Sequence, residues 1–126
     1  MELQLTILEN GFTIHRLPPN QTVPNQVYKS PFYSISKTED ELSIVCTSTT
    51  QLNSEKSETS WSCIRIAGSL DFSLTGILAK ISAILAEAEI SIFAISTFDT
   101  DYILVKSERL SSAREALLAY GYTFTP

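Results

Sequence analysis

Residues able to do covalent or metal chemistry are scarce in this chain of 126 residues. It has one histidine, His15, and two cysteines, Cys46 and Cys63. A lone histidine supplies neither a Ser-His-Asp triad nor a histidine-based metal site. Two cysteines inside apolar runs make neither a zinc set nor a disulfide framework, and they read as buried free thiols. There is no Gly-rich phosphate loop. Catalytic residues, metal ligands and cofactors are therefore expected to be absent. His15, within FTIHRL, is expected to point outward. The residues that can recognise a ligand without covalent chemistry are of another kind. Ser73-Leu74-Thr75-Gly76-Ile77 opens an amphipathic run. The free N–H groups and dipole of such a helix start suit an anionic group such as a carboxylate. Gly76 removes a side chain there, for the close approach of a ligand or only for tight helix–strand packing. Asp71 and Asp101 offer carboxylates to an ammonium group, or serve in turns and caps; for Asp99 the turn role is preferred.

Regular elements must position these groups. Leu74, Ile77, Leu78, Ile81, Ile84, Leu85 and Ala88 recur every three or four residues, which predicts a helix over 74–88 with Ser73 as N-cap. Trp61–Gly68, Ile90–Phe98 and Asp101–Ser107 are rich in β-branched and aromatic residues and read as strands. Ser112 and Glu115 have the spacing of a capping box. Ala113, Ala116, Leu117 and Tyr120 form an apolar face, and Gly121 is a C-terminal cap. Tyr122–Thr125 reads as a final strand. From Trp61 the order is β-α-β-β-α-β, the ferredoxin-like arrangement with two helices on one face of a four-stranded antiparallel sheet.

The first half is less regular. Leu3–Leu8 and Phe12–Leu17 read as strands, and Asn10-Gly11 between them predicts a hairpin. Four prolines between Pro18 and Pro31 leave room for one short helical turn. Phe32–Ser48 reads as two strands joined at Thr38–Asp40, and polar Thr49–Ser60 as a linker or flexible loop. The chain also matches itself at an offset of 60 residues: Ile35-Ser36 before Glu41–Val45, and Ile95-Ser96 before Asp101–Val105. The expected organisation is a degenerate N-terminal module over 1–50, a linker over 51–60 and a better-formed module over 61–126.

Nine basic against fourteen acidic residues give a net charge of −5. Without a basic stripe, an acidic surface repels phosphate backbones and anionic lipid. No apolar run approaches the roughly 20 residues needed to span a bilayer. No secretory signal is visible at the start of the sequence. A cytoplasmic location is expected, and neither nucleic acid nor membrane is expected as a partner.

Leu74–Ala79, Ile90–Phe98 and Thr100–Val105, in this order and spacing, resemble the ACT domain. More narrowly, the chain resembles small stand-alone bacterial ACT proteins, related to aspartate kinase regulatory regions and to the cytosolic arginine sensors. Glu41–Val45 fits the N-terminal half of the same family. The resemblance implies a regulatory protein that binds a small ligand, usually an amino acid, at a module or dimer interface. Its ligand-binding residues are then Asp71, Ser73, Leu74, Thr75, Gly76 and Ile77 at the helix start, with Ile95, Ser96, Thr97 and Asp101 on the following strands. The family's Pro-Gly helix start is replaced here by Asp71-Phe72-Ser73-Leu74-Thr75-Gly76. A homodimer is expected, because apolar edge strands need cover. The competing expectation is a structural or protein-interaction module without a ligand.

Overall fold

The computed structural model describes residues 4–66 and 76–126. The described residues form eight strands and two α-helices: β1 Gln4–Ile7, β2 Phe12–Leu17, β3 Tyr33–Lys37, β4 Leu42–Thr47, β5 Lys56–Ile66, α1 Ile77–Glu87, β6 Phe93–Ser96, β7 Asp101–Lys106, α2 Leu110–Ala119 and β8 Thr123–Phe124. Two compact units are present. One is Met1–Glu9 with Ser62–Pro126, the C-terminal unit; the other is Asn10–Trp61, the inserted unit.

The C-terminal unit carries the expected β-α-β-β-α-β order as a mixed α+β, ferredoxin-like fold. Among the described residues its sheet has five strands rather than four. β1 pairs antiparallel with β5 through Leu5↔Ile66 and Ile7↔Ile64, and parallel with β8 through Leu5↔Phe124. β1 thus stands between β5 and β8, the two strands that a four-stranded ferredoxin-like sheet would pair directly. β7 pairs with both β5 and β6. One sheet face buries Leu5, Ile64, Ile66, Ile103 and Val105 against Ile81, Ile84 and Leu85 of α1 and Ala113 and Leu117 of α2. Alternation within the strands and three-to-four spacing within the helices aim these side chains at one layer.

The helix ends differ from the predicted caps. α2 starts directly after a 3-10 turn at Ser107–Arg109, and its N-cap, Arg109, makes no side-chain capping bond. Ser112 therefore lies inside the first turn, too late to form a capping box with Glu115. Tyr120, expected on the apolar face, is exposed and donates its hydroxyl to Glu87 at 3.0 Å. At the other end of α2, Gly121 takes φ +92°. Its N–H reaches Leu118 O and that of Tyr122 reaches Leu117 O, the paired bonds of a Schellman ending. α1 closes in the same way, with Glu89 in the left-handed position at φ +60°. The Arg109 guanidinium donates to Ala88 O and Glu89 O at 3.3 and 3.4 Å, placing a cation at that helix end.

The inserted unit has the strand order β3-β4-β2-β5, antiparallel throughout. In ferredoxin-like terms this is 2-3-1-4, with a 3-10 turn at Asn25–Lys29 where the first helix would lie. No helix joins β4 to β5. Leu17, Val27, Leu42, Ile44 and Cys46 form its core.

Three expectations fail here for identifiable reasons. Asn10-Gly11 does not close a hairpin. β1 pairs with residues 64–66 of β5 and β2 with residues 56–61, and the two do not pair with each other. Lys56–Ser60, expected within a linker, is strand. The polar run hid it because its side chains are exposed. His15 is buried at 5% exposure, because Thr13, His15 and Leu17 share the inward side of β2.

Candidate functional site

The internal repeat is structural, with a different phase. Lys37 and Leu42 close the first hairpin, as Ser96 and Asp101 close the second, an offset of 59 residues rather than 60. The turns match as well. Thr38 N–H reaches Glu41 O at 2.9 Å, and Thr97 N–H reaches Thr100 O at 2.8 Å. Each threonine hydroxyl donates to that same carbonyl and accepts the N–H three residues ahead. At this offset Ile44 and Cys46 correspond to Ile103 and Val105, which also face a core. Shifting by one residue would turn every side chain to the opposite face. The consecutive apolar residues in Ser43–Cys46 and Tyr102–Val105 conceal which phase is right.

Ser96, Thr97 and Asp101 come together at the end of the second hairpin. The exposed Ser96 hydroxyl donates to Asp101 Oδ1 at 2.5 Å across the closing pair. An ionised carboxylate has about four lone-pair positions, so the half-buried Asp101 retains acceptor capacity on Oδ2. Thr97 uses its hydroxyl within the turn, both donating and accepting. Ile95 is half-buried on β6 opposite Tyr102. Phe98 projects from the turn at 83% exposure and takes no part in the core. Sequence reasoning missed Thr100. It is buried at 3% exposure, and its hydroxyl donates to Ile66 O, fastening the turn to the end of β5. Its neighbours in the sequence are polar, and no periodicity marks it.

The start of α1 belongs to the same end of the C-terminal unit. The helix packs on the sheet, and its C-terminus leads within a few residues into β6, so its N-terminus lies towards the end of β6. Gly76 takes φ +84° and ψ 0° ahead of Ile77, and its carbonyl accepts Lys80 N–H at 2.9 Å. A Cβ on Gly76 would meet no described atom within 4 Å. Its glycine thus meets a left-handed backbone rather than a tight contact. Ile77 is half-buried against the core. The other expected residues, Asp71, Ser73, Leu74 and Thr75, lie outside the described residues, as does the predicted Ser73 cap. Arg65, on β5, is exposed.

The equivalent end of the inserted unit is an open cleft of about 570 Å³ lined by Pro19, Asn20, Lys37, Thr38 and Glu39. Nearby, Arg16 engages Glu41 at 3.5 Å and Glu55 at 3.1 Å, and donates to Asp40 O. Those carboxylates are thereby compensated, whereas Lys37 and Glu39 face the cleft with opposite charges. The offset of 59 places Lys37 where the other hairpin has Ser96, so the two ends differ in chemistry.

Comparison with known proteins adds the following. A family model described as ACT domain matches residues 56–119. A second model, for an N-terminal domain, matches residues 10–50. A protein of Agobacterium tumefaciens solved by X-ray crystallography is 33% identical, with a TM-score of 0.92, over 99% of this chain and 93% of that one. The human cytosolic arginine sensor for mTORC1 subunit 1 is 37% identical over 121 residues, 89% of this chain. The chain spans 37% of that relative's length. The regulatory subunit of aspartate kinase from Thermus thermophilus shares the fold, with a TM-score of 0.64 at 11% identity, covering 91% of this chain and 97% of that one.

Proposed function

The chain belongs to the ACT domain family, and on that premise we propose that it is a regulatory protein that binds a free amino acid and carries no catalytic activity. The observation that carries the reading is the Ser96–Asp101 hydrogen bond at the end of the second hairpin, whose turn Thr100 fastens to the end of β5. Asp101, braced by Ser96, receives the ammonium group of the ligand. Backbone N–H groups of Gly76 and Ile77, at the start of α1, receive its carboxylate, where the helix dipole adds to their attraction. Ile95 and Ile77 supply apolar walls, and Thr97 and Thr100 hold the turn in place. Arginine is the first ligand to test, because the similar proteins include cytosolic arginine sensors. A homodimer in the cytoplasm is the form proposed to bind, its output passing to another chain.

The reading is supported by the chemistry of the pair. A carboxylate already positioned by one hydroxyl contributes a charge-assisted bond of about 1.5–3 kcal/mol to a cation. Calorimetry on the wild type, Asp101→Asn and Lys37→Ala tests it. Asp101→Asn is expected to weaken amino-acid binding by about 10-fold or more, since each 1.4 kcal/mol is a factor of ten. Lys37→Ala is expected to leave it unchanged. The reverse pattern would move the site to the cleft of the inserted unit. Absence of binding by any amino acid would leave a protein-interaction module as the function.

A further inference from the structure

His15 is a buried titratable group of the inserted unit that takes no part in any proposed ligand contact. It lies in the middle of β2, in register with Ile44 of β4 and Ser57 of β5. Its Nδ1 is 2.9 Å from Ser54 Oγ, and its Nε2 is buried with no hydrogen-bond partner. Ser54 belongs to the segment after β4 that has no regular structure and leads into β5 at Lys56. That segment replaces the missing second helix, and Leu52 packs on the core beside it. The imidazole–hydroxyl contact therefore ties an irregular strap to the sheet.

We propose that His15 is a proton-operated clasp, which holds the 48–55 strap against the inserted unit when neutral and releases it when protonated. Protonation places N–H groups on both ring nitrogens together with a full charge. Nε2 has no acceptor to meet it, and a buried unpaired charge is costly. Among the described residues, no charged side chain is hydrogen-bonded to the ring. From β4 the titratable neighbour on that side is Cys46, a thiol that burial holds neutral. From β5 the cross-strand neighbour is Ser57, which carries no charge, with Lys56 and Glu58 alternating to the other side. The 3-10 turn buries only the apolar Val27 and exposes Tyr28 and Lys29. The strap contributes the uncharged Leu52 and Ser54, while Glu55 is taken by Arg16. The charged ring must leave its site, and Ser54 loses its anchor.

The direction of the pH effect follows. Burial lowers the His15 pKa below its ordinary value of 6.5. The folded unit binds its proton less readily than the unfolded chain does. The stability contributed by the neutral ring is complete above the ordinary imidazole range and is lost as pH falls through the folded-state value.

The test uses the intact protein. With one histidine in the sequence, its ring C–H resonances are unambiguous in NMR. The ring is titrated from pH 8 to 4.5 alongside amide hydrogen exchange, corrected for the intrinsic pH dependence of exchange. The reporter is Glu55 N–H, bonded to Arg16 O at 3.1 Å. Expected are a ring midpoint below 6.5 and a loss of Glu55 protection of at least about 10-fold at that same midpoint, with Tyr122 N–H of the C-terminal unit unaffected. His15→Gln is expected to abolish the step. Should that variant not fold, Ser54→Ala is expected to raise Glu55 exchange already at pH 8. A ring that titrates at or above 6.5 with protection unchanged would overturn the proposal. So would a step that persists in His15→Gln, or Ser54→Ala exchanging like the wild type.

Discussion

Replacing Gly76 by alanine separates two explanations of a glycine at a helix start. With φ at +84° and no described atom within 4 Å of an added Cβ, the steric contact term is absent. The cost is then the left-handed backbone alone, about 1–2 kcal/mol for a residue with a Cβ. Alanine also restricts the unfolded chain, which returns about 0.4–1 kcal/mol. The net destabilisation is about 0.8 kcal/mol at mid-range and at most about 1.6 kcal/mol. Unfolding entropy near 2.1 cal/mol/K per residue gives roughly 0.26 kcal/mol/K for a chain of this length, so Tm should fall by roughly 3 °C and by no more than roughly 6 °C. Urea unfolding followed by circular dichroism, with calorimetric Tm, measures this. A loss above about 3 kcal/mol would mean that Gly76 is packed closely and that the conformational argument is wrong. A gain in stability would mean that the helix start relaxes freely and is not held in the left-handed state.

Glu89→Gly is expected to stabilise the protein by about 1 kcal/mol, since it relieves a left-handed glutamate and removes an anion from the negative end of α1; a lower Tm would refute this. Cys63 is fully buried, and burial pushes its thiol up to about 12. Both Cys63 and Cys46 should resist a thiol-specific reagent at pH 8 in the native protein and react fully in denaturant. Rapid native labelling, read by mass spectrometry, would contradict the burial.

The C-terminal unit was legible because its elements have clear periods. Isoleucines and leucines at three-to-four spacing located α1, and β-branched runs located β6 and β7. What escaped was pairing. Asn10-Gly11 satisfies the local chemistry of a hairpin, yet β1 and β2 both find a partner in β5, about 40 to 60 residues away along the chain. Such non-local choices leave no mark on a two-residue turn. The repeat was visible, but its phase was lost because Ser43–Cys46 and Tyr102–Val105 contain adjacent apolar residues that read equally well on either face. His15 was misplaced for a related reason. Alternation in FTIHRL favours neither face, and only the serine at position 54 accounts for a buried imidazole. At the candidate site, Ser96 and Asp101 were recognisable by family resemblance, whereas their mutual hydrogen bond depends on a register that no local pattern specifies. Thr100 acts through a carbonyl on another strand and had no local signature.

The central claim is that a free amino acid binds this protein, and a thermal-shift scan of the intact chain against the proteinogenic amino acids tests it most directly. A ligand at about 100 times its Kd adds roughly 2.7 kcal/mol, which for this chain length is a rise of roughly 10 °C. The account predicts such a rise for one amino acid or a small group of related ones, strongly reduced in Asp101→Asn. A folded, cooperative wild-type protein whose Tm is unmoved by every amino acid at millimolar concentration would contradict it.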